Sequence, residues 1–82
     1  MEKKSFTRDE VFLLKVAELA EKLGSAFHPI DSYVVGRAIG QNDRSVDNIV
    51  RMLAQTNFIK KGENTMIILT KNGAVLVKEL LK

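Results

Sequence analysis

The sequence predicts a single α+β domain that is mostly helical, with a three-helix core, a β-hairpin and a C-terminal helix. Three observations predict this fold. Apolar residues recur at helical spacing in three stretches up to residue 55, β-rich runs follow at residues 58–70, and helical spacing returns at residues 71–82. A chain of 82 residues is long enough for one domain with one core. Residues 1–5 precede the first helix signal, and we expect them to be flexible.

Helix 1 has a clear start signal. Thr7 and Glu10 have the T-x-x-E spacing of a capping box, which predicts a helix that runs to about Leu23. At about 100° per residue, most of its apolar side chains fall on one broad arc. Leu14 falls among the charged residues instead, so it is an apolar residue on the predicted polar side.

Two shorter helices follow, joined by a tight turn. Helix 2 is predicted at about residues 32–39, and helix 3 at about residues 43–55 with Asn42 or Asp43 as its cap. Gly36 is small where the two helices would cross, and Gly40 lies where the turn needs a positive φ. The apolar stripe of helix 3 consists of Val46, Ile49, Val50 and Leu53. This spacing is typical of a helix-turn-helix and leaves a polar face of helix 3 outside.

The spacing of apolar residues changes in the last third of the chain. Residues 58–61 and 65–70 are β-rich and flank a short loop at residues 62–64, which predicts a tight hairpin. Thr70 is then placed to cap a last helix at residues 71–82.

The order helix, helix, helix, hairpin, helix resembles the winged-helix family of helix-turn-helix DNA-binding domains. The chain is similar to the small MarR-, PadR- and ArsR-like bacterial and archaeal transcriptional regulators. The resemblance is carried by the set Gly36, Gly40, Val46 and Ile49, by the run Arg44 to Ile59, and by IILTKNG at Ile67 to Gly73. It implies sequence-specific binding of double-stranded DNA and transcription regulation, with helix 3 in the major groove and the hairpin at 58–70 on the DNA backbone. The alternative is a protein-interaction winged helix that acts as an adaptor without binding DNA.

The polar face of helix 3 supplies the candidate base contacts. They are Arg44, Ser45, Asp47, Asn48 and Arg51. Arg can bond guanine, Asn can bond adenine, and Asp can accept a hydrogen bond from cytosine. The alternative is an ordinary solvated face with an Asp47–Arg51 pair at spacing i, i+4.

Candidate contacts to the DNA backbone lie on neighbouring elements. Lys60 and Lys61 are in the first hairpin strand, where they would reach phosphates or simply discourage edge-to-edge aggregation. The resemblance adds Lys71 and Arg37, which in this family sit near helix starts facing the same side. Tyr33 can offer its hydroxyl to a phosphate or pack half-buried on helix 2.

Surplus apolar residues on the terminal helices predict self-association. Leu14 lies on the charged arc of helix 1, and Val75 lies outside the apolar face of the last helix. We therefore expect a homodimer whose interface includes these two residues. Such a dimer would match a palindromic DNA site.

Composition excludes several other classes. The chain has no cysteine and one histidine, so it offers neither a disulfide framework nor a cysteine or histidine metal cluster. It shows no catalytic constellation, and we expect no enzyme activity, no cofactor and no small-molecule effector. No apolar run approaches the roughly 20 residues of a membrane span and no signal-peptide core is present, so we expect a cytoplasmic protein. A net charge of +3 permits nucleic-acid binding without arguing for it.

Overall fold

A computed structural model describes residues 5–82 as four helices and three short strands. The predicted flexibility of residues 1–5 concerns residues 1–4 almost entirely, and these lie outside the described part. The elements in chain order are α1 (Arg8–Lys22), β1 (Ile30–Asp31), α2 (Ser32–Ala38), α3 (Asp43–Gln55), β2 (Ile59–Lys61), β3 (Met66–Leu69) and α4 (Lys71–Leu80). The prediction of a mostly helical α+β fold is therefore confirmed.

Side-chain caps start all four helices. The Thr7 hydroxyl accepts a hydrogen bond from the Glu10 backbone N–H while the Glu10 carboxylate accepts one from the Thr7 N–H, which confirms the capping box. Asp31, Asn42 and Thr70 cap α2, α3 and α4 in the same sense, each accepting from an N–H in the first turn. These caps satisfy donors that a helix leaves without a partner, and they fix where each helix begins.

The sheet contains one strand that the sequence did not predict. β1 pairs antiparallel with β3, and β2 pairs with the other side of β3, so the strand order is β1-β3-β2. The hairpin of β2 and β3 is confirmed, and its turn is closed by the Gly62 N–H, which donates to the Met66 carbonyl at 2.8 Å. A two-residue strand such as β1 is too short to show the alternation by which strands are predicted.

The turn between α2 and α3 has the expected backbone. Gly40 has a φ of +76°, and Gly36 is buried where α2 crosses α3. A Cβ at residue 36 would overlap Cγ2 of Val46. The prediction that a small residue lies at this crossing is confirmed, and the close approach fixes the position of α3 against α2.

The core lies between the helices and the inner face of the sheet. Its fully buried larger side chains are Phe12, Leu13, Val16, Val35, Val46, Ile49, Ile59 and Ile67. Leu14 is half-buried and packs against this core, so it does not lie on a solvent-facing side as the arc of α1 suggested. The reason is that α4 packs along α1 and gives α1 a second apolar neighbour. Among the described residues, none of the helices has the length and apolar character needed to cross a bilayer.

Candidate nucleic-acid interface

The outermost face of α3 carries two arginines and two amides. At about 100° per residue, Arg44, Asn48 and Arg51 lie within about 40° of the direction opposite the buried Val46. Gln55 lies on the same face one turn after Arg51, and all four residues are exposed. Their side chains form no hydrogen bond or ion pair with any other residue between 5 and 82. Their donors are therefore available to an outside partner.

Ser45 lies to one side of this face and is already engaged within the protein. Its hydroxyl donates to Oε1 of Gln41 at 2.6 Å and accepts from the Arg8 guanidinium at 3.2 Å. Ser45 is half-buried, whereas Arg8 is exposed at the start of α1. The contact places the first turn of α1 beside the first turn of α3.

Asp47 lies to the other side, towards α2. Its carboxylate accepts a hydrogen bond from the Tyr33 hydroxyl at 2.7 Å. This hydrogen bond raises the pKa of Tyr33 above its usual value, and desolvation and the charges of Asp47, Asp43 and Asp31 act in the same direction. The Asp47–Arg51 pair considered from the sequence is not among the ion pairs of the described residues, because Asp47 turns to Tyr33 instead.

A cleft of about 300 Å³ separates α3 from the hairpin. Its walls bring together four of the candidate contact residues, namely Tyr33, Asp47, Arg51 and Lys61. Lys61 and Arg51 contribute cations from opposite walls, since one lies on β2 and the other on α3. The cleft thus combines two cations with a carboxylate that already holds a hydrogen bond.

The remaining candidate cations lie outside this cleft. Lys60 is exposed on the face of β2 opposite Lys61, because successive strand residues alternate sides. β2 is an edge strand, so both explanations of Lys60 stay open. Lys71 is exposed as the first residue of α4, as predicted, whereas Arg37 lies in the last turn of α2.

Two residues near this surface were missed from the sequence. Gln55 continues the outward face of α3 and would have been found by projecting that face one further turn. Arg8 was not among the candidate contacts, although it directly follows the helix N-cap Thr7, whose capping box predicts an ordered helix there.

Val75 and Leu14, the candidate dimer residues, lie apart from α3 in different surroundings. Leu14 lines a groove between α1 and α4, whereas Val75 is 56% exposed and does not line that groove.

Among residues 5–82, no three His, Cys, Asp or Glu side chains come together in a way that could hold a metal ion. Comparison with known protein families, curated proteins and solved structures gives no significant match.

Proposed function

We propose that this chain is a winged-helix domain that binds double-stranded DNA with sequence preference and acts as a transcriptional regulator. The order of its elements supports the proposal, because three helices, a hairpin and a last helix follow one another as the resemblance implies. In this proposal α3 enters the major groove, and α2 and the hairpin contact the backbone on either side.

The outward face of α3 is the observation that carries the proposal. An α-helix is about 10–12 Å across with its side chains, and the major groove is about 12 Å wide. The face that would meet the base edges holds Arg44, Asn48, Arg51 and Gln55, and none of these is acidic. Arg pairs with guanine and Asn or Gln pairs with adenine, so this face has the donors and acceptors that base readout requires.

The cleft between α3 and the hairpin supplies a place for a phosphate. Arg51 and Lys61 line it from two sides, and the single negative charge of a DNA phosphate between them would be attracted to both. The Tyr33 hydroxyl donates to Asp47 in the free protein. A contact between Tyr33 and a phosphate would therefore require this hydrogen bond to break.

An adaptor function is the second candidate, and the carboxylates around Tyr33 favour it. The Asp47 carboxylate accepts from the Tyr33 hydroxyl, and the charges of Asp47, Asp43 and Asp31 all raise the pKa of Tyr33. Glu63 adds a further carboxylate in the hairpin loop. A partner protein with basic side chains would be attracted to these carboxylates, whereas they would weaken the attraction of a phosphate to Arg51 and Lys61 in the cleft.

A salt-dependent titration with duplex DNA tests the proposal. We expect binding at low salt with a negative slope of log K against log salt concentration. Each phosphate neutralised should contribute about 0.9 to that slope. Absence of binding to duplex DNA at low salt would contradict the proposal and leave the adaptor function.

Variants separate phosphate contacts from base contacts. Lys61→Ala should weaken binding to all sequences alike and reduce the slope by about 0.9. Lys22→Ala is the matched control, because Lys22 lies 14 residues after Arg8 on α1, about 21 Å from the end that contacts α3. Arg44→Ala and Asn48→Ala should each cost about 1–3 kcal/mol at one base position and change the sequence preference. If Lys61→Ala, Arg44→Ala and Asn48→Ala all lose the same affinity on every DNA sequence, α3 does not read bases.

A further inference from the structure

Arg8 is a cation beside α3 that does not belong to the cleft of Arg51 and Lys61. Its guanidinium donates to the Ser45 hydroxyl at 3.2 Å, across the boundary between α1 and α3. A guanidinium has five N–H donors, and this hydrogen bond uses one of them. Arg8 is exposed and forms no ion pair with any of residues 5–82, so its remaining donors are free for an outside partner.

Ser45 is held in place from two directions, and it therefore holds the guanidinium in place as well. Its hydroxyl donates to Oε1 of the half-buried Gln41 at 2.6 Å, and its backbone N–H donates to Oδ1 of the cap residue Asn42 at 2.9 Å. Because the hydroxyl hydrogen points to Gln41, an oxygen lone pair is left to accept from Arg8. A long side chain that is already held loses less conformational freedom when it binds a partner.

Arg8 and the cleft lie on opposite sides of α3. At about 100° per residue, Ser45 and Asp47 project about 160° apart around the helix axis. The cleft contains Asp47, whereas Arg8 reaches α3 at Ser45. A helix in the major groove has a sugar–phosphate backbone along each of its sides. Arg8 is thus the cation that α1 brings to the side away from the cleft.

We infer that Arg8 binds a backbone phosphate of the DNA strand on the α1 side of α3, with its guanidinium positioned by Ser45. This inference rests on the proposed DNA binding and adds a phosphate site to it. A guanidinium can bind two phosphate oxygens with parallel N–H donors, which matches the free donors of Arg8. Ser45 then has a different role from the base contact expected from the sequence, because its hydroxyl both donates and accepts within the protein.

Two carboxylates follow Arg8 on α1, and neither forms an ion pair with it. The Glu10 carboxylate accepts a backbone hydrogen bond in the capping box. Asp9 lines a small cavity of about 200 Å³ with Met52, in the second half of α3. At about 1.5 Å per residue, Met52 lies about 10 Å along the helix from Ser45. The guanidinium therefore stays available to a phosphate beside the first turn of α3.

Titration with duplex DNA over a range of salt concentrations tests the inference. Arg8→Ala should reduce the slope of log K against log salt concentration by about 0.9 and leave the sequence preference unchanged. A contact with that slope, whose contribution vanishes near about 1 M salt, corresponds to an affinity loss of about eightfold at about 0.1 M salt. Arg8→Lys keeps the charge and should keep the slope. Lys22→Ala at the other end of α1 is the control and should change neither quantity, and circular dichroism verifies that the variants remain folded.

Ser45→Ala tests the positioning of the guanidinium. It removes the acceptor and keeps the charge of Arg8, so affinity should fall about threefold on all sequences alike while the slope stays the same. The double variant with Arg8→Ala should bind as Arg8→Ala alone does, because Ser45 acts only through Arg8. A change of sequence preference on Ser45→Ala would overturn this role and make Ser45 a base contact.

Combining Arg8→Ala with Lys61→Ala tests the placement on two sides of α3. The slope should fall by about 1.8 in total, since the two residues bind different phosphates. A combined fall of about 0.9 would place both residues at one phosphate and overturn the arrangement.

The titrations distinguish a failure of this inference from a failure of the proposed function. If the original protein binds duplex DNA and Arg8→Ala leaves the slope unchanged, the Arg8 site is overturned and the proposed DNA binding stands. If the original protein binds no duplex DNA at low salt, both are overturned.

Discussion

Gly36→Ala tests the close approach of α2 and α3, on which the position of α3 depends. A Cβ at residue 36 would overlap Cγ2 of Val46, whereas the Gln41 carbonyl oxygen and the Val46 Cβ would lie at 3.4 and 3.5 Å. The Val46 methyl group is thus the main obstacle. Valine in a helix strongly prefers one χ1 rotamer, so this methyl group cannot turn away without cost.

Two opposing effects set the magnitude. Alanine is about 1 kcal/mol more favourable than glycine inside a helix. Overpacking a close-packed contact costs about 1–3 kcal/mol, and residues 36 and 46 are both buried. The upper part of that range applies here because the overlap is with a side chain that is fully buried and stiff. We expect a net loss of about 1–2 kcal/mol in the free energy of unfolding. In a domain of this size, each kcal/mol lowers Tm by roughly 4–8 °C.

Urea denaturation followed by circular dichroism measures the loss, and Val46→Ala provides the control. That substitution alone removes two buried methyl groups and should cost about 2 kcal/mol. In the double variant the new Cβ meets no Cγ2. The loss in the free energy of unfolding should therefore be smaller than the sum of the two single losses by about 1 kcal/mol or more. Strict additivity, or a Gly36→Ala protein as stable as the original, would refute the argument from the close approach.

Two further predictions concern single side chains. Tyr33 is the only tyrosine in a chain without tryptophan, so ultraviolet absorbance of the phenolate reports its pKa directly. That pKa should lie above the ordinary value of about 10, and Asp47→Asn should lower it; an unchanged titration would contradict the role of Asp47. Because the folded-state pKa is raised, the contribution of Tyr33 to stability is present below pH ~10 and is lost as pH rises through that pKa. The Thr70 hydroxyl donates to the Asn57 carbonyl at 2.6 Å and accepts from the Gly73 N–H at 3.0 Å. Thr70→Ala should therefore lower the free energy of unfolding, measured by urea denaturation, by about 1–2 kcal/mol. Thr70→Ser keeps the hydroxyl and should keep most of that stability. Equal losses for the alanine and serine variants would contradict this role of the hydroxyl.

Helices and the hairpin could be predicted because their signals are local. The capping box at Thr7 and the caps at Asn42 and Thr70 all depend on residues within one turn of each other. β1 could not be predicted in this way. It exists only because residues 30 and 31 pair with residues 67 and 66, far along the chain.

The sequence predicted which side of α3 the candidate contact residues lie on, but not which residues of other elements they contact. Helical periodicity gives the side of α3 on which a residue lies, and it placed Arg44, Asn48 and Arg51 on the outer face as the structure has them. Periodicity carries no information about partners from other elements. Ser45 meets Arg8 of α1, and that contact became visible only once the helices were packed.

Leu14 shows the same limit on α1. A projection of one helix assumes a single apolar side, so it predicts that an apolar residue away from that side is exposed. α1 contacts α2, α3 and α4, and Leu14 packs against the core where α4 lies along it. Its position therefore gives no independent argument for a dimer.

The contact between Tyr33 and Asp47 bears on how α3 can approach DNA at all. A carboxylate on a helix that enters the major groove repels phosphate, and it also tends to pair with an arginine one turn away. In this protein the Tyr33 hydroxyl holds Asp47 towards α2, and Arg51 stays unpaired among the described residues. Both arginines of the outer face thereby stay available, while Asp47 of the same helix is held on the α2 side. The free donors of Arg51 are consistent with the proposed DNA binding on the outer face, and the carboxylates around Tyr33 make the α2 side the place where a basic partner protein would bind if the adaptor function holds.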